Sequence, residues 1–260
     1  MLRTITATRY VAPLREGGSL PAILEADDDG LYVVKFRGAG QGPKALIAEM
    51  VAGEIARALG LPVPEIVFIE LDPVLGRSEP DFEIQELLKA SAGLNVALDF
   101  LPGALPFDAL DIRALSTTLA SEIVWFDAFV TNVDRTPRNT NMLWWHQNLK
   151  LIDHGASLYF HHINAEYLER SRTPFTTIKS HVLLPVANEL REVDQRLKAA
   201  LTPALLQDIL AQIPDAWLTG HELYADAAIH RHAYLEYLLD RLAHSDIFVE
   251  EALRARDQLI

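Results

Sequence analysis

The chain of 260 residues is half hydrophobic, carries 23 Lys and Arg against 36 Asp and Glu for a net charge of −13, and contains no cysteine. That apolar fraction suits a chain that buries a real core, and the length suits one large domain or two small ones, which excludes bulk disorder. Zero cysteines exclude a disulfide scaffold, a thiolate zinc site, an iron–sulfur cluster and a cysteine nucleophile, while the acidity excludes a broad nucleic-acid surface, though not the binding of one nucleotide.

The N-terminal stretch lacks a continuous apolar segment, and no run of about 18 apolar residues follows it. The expectation is a soluble, cytoplasmic protein with no membrane partner. In chain order, Tyr10–Pro13 and Pro21–Glu25 read as short extended pieces on either side of the turn-rich Arg15–Ser19. Asp27–Gly30 reads as a hairpin turn, because Asp and Gly tolerate left-handed backbone, and Leu31–Phe36 as the strand that follows it. Gly38–Gly42 is a connector, and Pro43 opens a helix on which Ile47, Val51, Ile55 and Leu59 repeat every fourth residue until Gly60 stops it. Ile66–Leu71 and Phe82–Leu87 are predicted strands, and Pro102-Gly103 marks a junction. Leu115, Leu119, Ile123, Phe126 and Val130 then outline a helix ending before the polar run Thr131–Asn141, and Met142–Trp145 with Leu149–Ile152 form a hairpin leading into Asp153-His154-Gly155. From about Asn188 onward the periodicity is helical, with Thr202-Pro203 as a cap followed by a first-turn proline. The predicted architecture is α+β and bilobal, with a β-rich lobe over 1–101 and a larger α-helical lobe over 102–260.

Chemistry concentrates in Asp134-Arg135-Thr136-Pro137-Arg138-Asn139 and in Asp153, fourteen residues after Asn139. Two carboxylates and an amide oxygen on loops are the hard ligands that Mg²⁺ accepts together with substrate phosphates and water. One Asp near an acceptor hydroxyl, with an Asn and a second Asp on metal, is the kit of phosphoryl transfer. Asp and Asn in loops are more often turn formers. Lys35 stands alone in an apolar strand, where an ammonium needs a solvated face or an anion, either phosphates or a carboxylate of the next helix, on which Glu49 is the first acid. The Gly38–Lys44 run fails the phosphate-loop pattern G-x-x-x-x-G-K-[ST], since Lys44 lies between Pro43 and Ala45. His161-His162 and His230-x-His232 lack the spacing of a recognised metal motif.

With these residues in hand, the chain resembles the HipA-like kinases, which are related more remotely to phosphatidylinositol kinases. The resemblance is carried by VVKFRGAGQGPK (33–44), by the Glu49 helix ending in ALGLPVPE (58–65), by TNVDRTPRNTN (131–141) and by LIDHGASL (151–158). It implies a bilobal protein-kinase-like fold that binds ATP and Mg²⁺ and passes the γ-phosphate to a hydroxyl, that of a protein Ser or Thr. Transfer to a small molecule or lipid, or a non-catalytic nucleotide-binding pseudokinase or interaction module, are the alternatives. Residue by residue, it implies Lys35 as the phosphate-binding lysine, Glu49 as its helix partner, Asp134 as the catalytic Asp, and Asn139 and Asp153 as metal ligands. It further implies Asn95–Leu101 as the adenine hinge, lined by Ala97 and Leu98, and Gly17 and Gly18 as positions where backbone can approach the phosphates, with Ser19 a regulatory candidate. Arg138 is either a cation near the transferring phosphate or a solvated loop arginine. The chain departs from the pattern at Thr136-Pro137, where relatives place a His, and at His154, where many kinases have Phe. Residues 131–180 hold six basic residues against four acidic, so this stretch is locally positive within an acidic chain.

Overall fold

The computed structural model of the protein describes residues 1–14, 20–40, 42–162, 166–220 and 223–259. The N-terminal lobe is a closed barrel in the order β1 (Thr4–Pro13), β2 (Ala22–Ala26), β3 (Leu31–Lys35), β5 (Gly93–Asp99) and β4 (Ile66–Leu71). All pairs are antiparallel except β1 with β4, which closes the barrel in parallel through Thr4↔Phe68 and Thr6↔Glu70. Alternation along each strand sends Leu24, Val34, Val67, Ile69 and Ala97 into one interior cluster. The first strand begins at Thr4, six residues before the extended piece read from Tyr10.

Helix α1 (Pro43–Ala58) crosses between β3 and β4, and its residues from Leu46 to Gly53 are buried without interruption. A helix apolar on every side must be covered on every side, and α1 packs on β4 and β5 above and on the C-terminal lobe below. Gly53 makes this possible, because a Cβ there would lie 2.3 Å from Ile66 Cδ1. Gly60, at φ +78°, supplies the left-handed turn that ends the helical segment.

The predicted strand at Phe82–Leu87 is instead helix α2 (Phe82–Ala90). Asp81 caps it, its carboxylate accepting the Glu83 N–H at 2.9 Å, and Ile84 and Leu88, four apart, are its buried residues. The apolar run was too short to separate the two periods, and the cap decides for the helix. Asp81→Ala is expected to cost about 1 kcal/mol, read as a shift in urea midpoint at constant slope.

In the C-terminal lobe, β6 (Leu105–Pro106), β7 (Met142–Trp145) and β8 (Asn148–Leu151) form a small antiparallel sheet beneath the cleft. Helix α3 (Thr117–Phe129) is the axis of the lobe, with Ser116 capping its start and Ile123, Trp125, Phe126 and Phe129 all buried. Around it lie α4 (Tyr167–Ser171), α5 (Leu190–Ala200), α6 (Pro203–Leu210), α7 (Asp215–Leu218), α8 (Ala227–Ala243) and α9 (Ser245–Asp257). Trp125 stacks on Phe129, meets Phe248 of α9 edge-on and donates from Nε1 to Asp194 of α5. No helix among the described residues is long and apolar enough to cross a membrane. The architecture is a bilobal, kinase-like α+β fold with a β-rich N-lobe and an α-helical C-lobe.

Candidate active site

Between the lobes lies a cavity of about 790 Å³ lined by Lys35, Asp134, Asn139, Asn141 and Asp153, with an apolar end that includes Val33, Leu98, Leu143 and Ile152. Five residues spread from position 35 to 153 thus line one cavity.

Lys35 ends β3, where its side chain is buried. Its Nζ donates to Glu49 Oε2 at 2.5 Å and also to Asp153 Oδ1. Burial alone would lower the lysine, but the Glu49 and Asp153 carboxylates raise it above its ordinary range, so it remains an ammonium at neutral pH. Burial would likewise raise Glu49, which Lys35 foremost and then His154 hold well below the usual carboxylate range. His154 is fully buried, lies edge-on to Phe126 and faces Glu49 Oε1 from Nδ1 at 3.4 Å. It packs beside the Glu49 carboxylate at the position noted as a departure, where many kinases have Phe.

The Thr131–Asn141 loop leaves the C-terminal end of α3. Asn139 Nδ2 donates to Asp134 Oδ2 at 2.8 Å, and Asn141 Nδ2 approaches the same oxygen at 3.4 Å. Asn141 and Asp153 are both in left-handed backbone, at φ +48° and +55°. They are the residue types that adopt it at least cost, and Asn141 O accepts the Ile152 N–H at 3.0 Å, which ties the two loops together.

Oxygen donors suited to a divalent cation are present. Asn139 keeps Oδ1, and Asp153 keeps Oδ2, free of hydrogen-bond donors among the described residues. Among those residues no three His, Cys, Asp or Glu side chains cluster as a metal cage. One carboxylate and one amide are instead a sparse set compatible with Mg²⁺, which retains waters and substrate oxygens.

Other expected positions lie elsewhere. Leu98 faces the cleft, but Ala97 points the opposite way, into the barrel interior, as strand alternation requires. Most of the proposed hinge is strand β5, which is hydrogen-bonded on both sides, to β3 and to β4. Asn95 is structural, its Oδ1 taking the Arg37 N–H and its Nδ2 bonding Ser91 O and Gly93 O. Phe100 N–H still donates to Leu31 O of β3 at 2.9 Å, so the first hinge N–H outside the ladder is that of Leu101. Arg138 is exposed and does not line the cavity. Gly17, Gly18 and Ser19 lie outside the described residues. In the Gly38–Lys44 connector, Ala39 and Gly40 border the cleft, while Gly38 packs so close to α2 that a Cβ would meet Ala90 Cβ at 2.6 Å.

Sequence reasoning missed Asn141 and, beneath the loop, the buried trio of Asp127, Arg135 and His181. Arg135 Nε donates to Asp127 Oδ2 at 2.5 Å, and His181 Nε2 meets the same oxygen at 2.9 Å. The signal for Asp127 was present: a lone carboxylate in the apolar run Ile123–Val130. Leu183 N–H donates to His181 Nδ1 at 3.0 Å, which leaves the ring proton on Nε2 and facing Asp127.

Burial depresses His181 below its ordinary value, against the pull of Asp127. The unfolded chain therefore takes up this proton first, and stability falls as pH drops through about 6.5. Asp127 and Glu49, whose native values are depressed, give stability that is present above about pH 4 and lost below it. Thermal midpoints measured from pH 8 to pH 3 are expected to fall in these two stages, with His181→Gln diminishing the first alone.

The HipA-like kinase family model matches residues 8–251. Among solved structures, the fold is similar to that of the Helicobacter pylori proinflammatory kinase CtkA, at 14% identity over 100% of this chain and 99% of that one, with a TM-score of 0.63. It is also similar to the Golgi casein kinase with Mn/ADP bound, at 12% identity over 96% of this chain and 74% of that one, with a TM-score of 0.56. No curated protein matches the chain. With a family match that runs through both lobes and every loop at the cleft, the chain belongs to the HipA-like kinases.

Proposed function

We propose that the protein is an ATP- and Mg²⁺-dependent phosphotransferase acting on a hydroxyl, that of a protein Ser or Thr. The observation that carries this reading is the convergence of Lys35, Asp134, Asn139 and Asp153 on one interlobe cavity, with Glu49 buried behind it and paired to Lys35. A cavity of about 790 Å³ lies within the range of small-molecule and cofactor sites, and its apolar end suits a purine. The Leu101 N–H donates to no acceptor among the described residues and is available to a base edge. The Golgi casein kinase, which shares the fold, carries Mn and ADP.

In this reading Lys35, held by Glu49, binds phosphate oxygens and gives up its contact with Asp153 as it does so. Asn139 and Asp153 would hold Mg²⁺, which when bound neutralises charge on the transferring phosphate. Asp134 is fixed by Asn139 and Asn141, so one carboxylate oxygen orients an acceptor hydroxyl and takes its proton while the other stays engaged. Positioning and charge neutralisation account for most of the rate in such a transfer.

The test is a thermal-shift series with ATP, with and without Mg²⁺, followed by transfer of labelled phosphate into a cell extract. ATP at a hundred times its Kd should stabilise the fold by about 2.7 kcal/mol, and labelled protein should appear. Stabilisation without turnover on any acceptor would favour the nucleotide-binding module, and label in small molecules or lipids the corresponding kinases. No stabilisation at all would end the reading.

A further inference from the structure

Asp127 sits in the last turn of α3, where the helix carbonyls present partial negative charge, and its carboxylate is fully buried. Both conditions oppose an anion. It is nevertheless the most heavily bonded carboxylate under the loop: Asn132 Nδ2 donates to Oδ1 at 2.8 Å, and Arg135 Nε at 2.5 Å and His181 Nε2 at 2.9 Å donate to Oδ2.

Each donor holds a second group. Asn132 Oδ1 accepts the Asp134 N–H at 3.1 Å. Arg135 Nη1 donates to Asn141 O at 2.5 Å, and Asn141 is one of the two amides facing the Asp134 carboxylate. Arg135 O accepts the Val182 N–H at 3.1 Å, and His181 Nδ1 accepts the Leu183 N–H at 3.0 Å. Asp134 is thus bracketed in sequence by two residues bound to one carboxylate, and the 181–183 segment is pinned to that carboxylate as well.

We infer that Asp127 is a positioning residue of the site, one buried carboxylate that sets the backbone of Asp134 from both sides and locks the 181–183 segment in register with it. The inference rests on the phosphotransfer reading for its kinetic consequence, but not for its structural one. Asp127 touches neither substrate nor metal; it acts through Asn132, Arg135 and His181. His181 serves as a paired donor and acceptor, a role that the carboxamide of Gln reproduces and an aliphatic side chain does not.

The experiment uses the full chain, with phosphate release from ATP·Mg²⁺ as the kinetic probe and hydrogen exchange as the structural one. Displacing a reacting group by about an ångström costs on the order of a hundredfold, so Asp127→Asn should lower kcat by about that factor with KM for ATP nearly unchanged. Amides of 131–141 should exchange faster in this variant while those of α8 keep their protection. His181→Gln should retain most of kcat and His181→Leu lose it, a pair that decides the matter if Asp127→Asn does not fold. Wild-type kcat in Asp127→Asn, a change confined to KM, equal loss in both His181 variants, or a uniform rise in exchange would overturn the inference. If the wild type releases no phosphate, the phosphotransfer reading is decided separately by labelled transfer into the extract, and local loss of protection at 131–141 in Asp127→Asn supports positioning while unchanged protection overturns it.

Discussion

Asp134→Asn is expected to slow phosphate transfer by about 10² to 10⁴-fold, the range contributed by a positioned general base. The substitution keeps the shape of the side chain and one oxygen, so Asn139 and Asn141 can still hold it. Nucleotide affinity should therefore be nearly unchanged, because Lys35 pairs with Glu49 and Asp153 and not with Asp134. Single-turnover transfer and ADP titration, measured on the same preparation, separate the two quantities. Undiminished transfer would remove Asp134 from the chemistry, and an equal loss of affinity would place it on the nucleotide.

Arg135→Leu should be the most destabilising single change near the cleft, by about 3–5 kcal/mol, since it leaves the Asp127 carboxylate buried without its cation. Both side chains are wholly inaccessible to solvent, so water cannot compensate. The double variant Arg135→Leu, Asp127→Leu should be closer to the wild type in urea stability than Arg135→Leu alone, because replacing both charges removes the desolvation cost that one charge keeps. A double variant less stable than the single one would mean that Asn132 and His181 depend on the carboxylate more than Arg135 does. The contrast with Asp134→Asn is informative, since one change should slow turnover in a protein of unchanged stability and the other should lower the stability itself.

Much of the lobe organisation was legible because it depends on local rules. Asp27–Gly30 turns where Asp and Gly can take left-handed backbone, the Glu49 helix begins at Pro43 and is stopped by Gly60, and Thr202 caps a helix that opens with Pro203. These signals are read by the chain within a few residues of themselves. Phe82–Leu87 was misread because six residues with mixed polarity satisfy either period, and what settles them is the Asp81 cap and the burial of Leu88 beneath the barrel.

The sequence by itself determined which chemical groups are available: one lysine in an apolar strand, one acid on the following helix, and an Asp, an Asn and a second Asp on two loops. Only the tertiary structure decided which of them meet. Strand alternation alone sends Leu98 to the cleft and Ala97 away from it, but that a cleft exists on one side of β5 follows from closure of the barrel against the C-terminal lobe. Arg135 and Arg138 are three residues apart in a loop and look alike in sequence, yet one is buried on Asp127 and the other is exposed. The physical reason is that a charged side chain enters the interior only where a buried partner repays its lost hydration. Here that partner is Asp127, eight residues earlier on α3, and His181, 54 residues beyond Asp127, meets the same carboxylate.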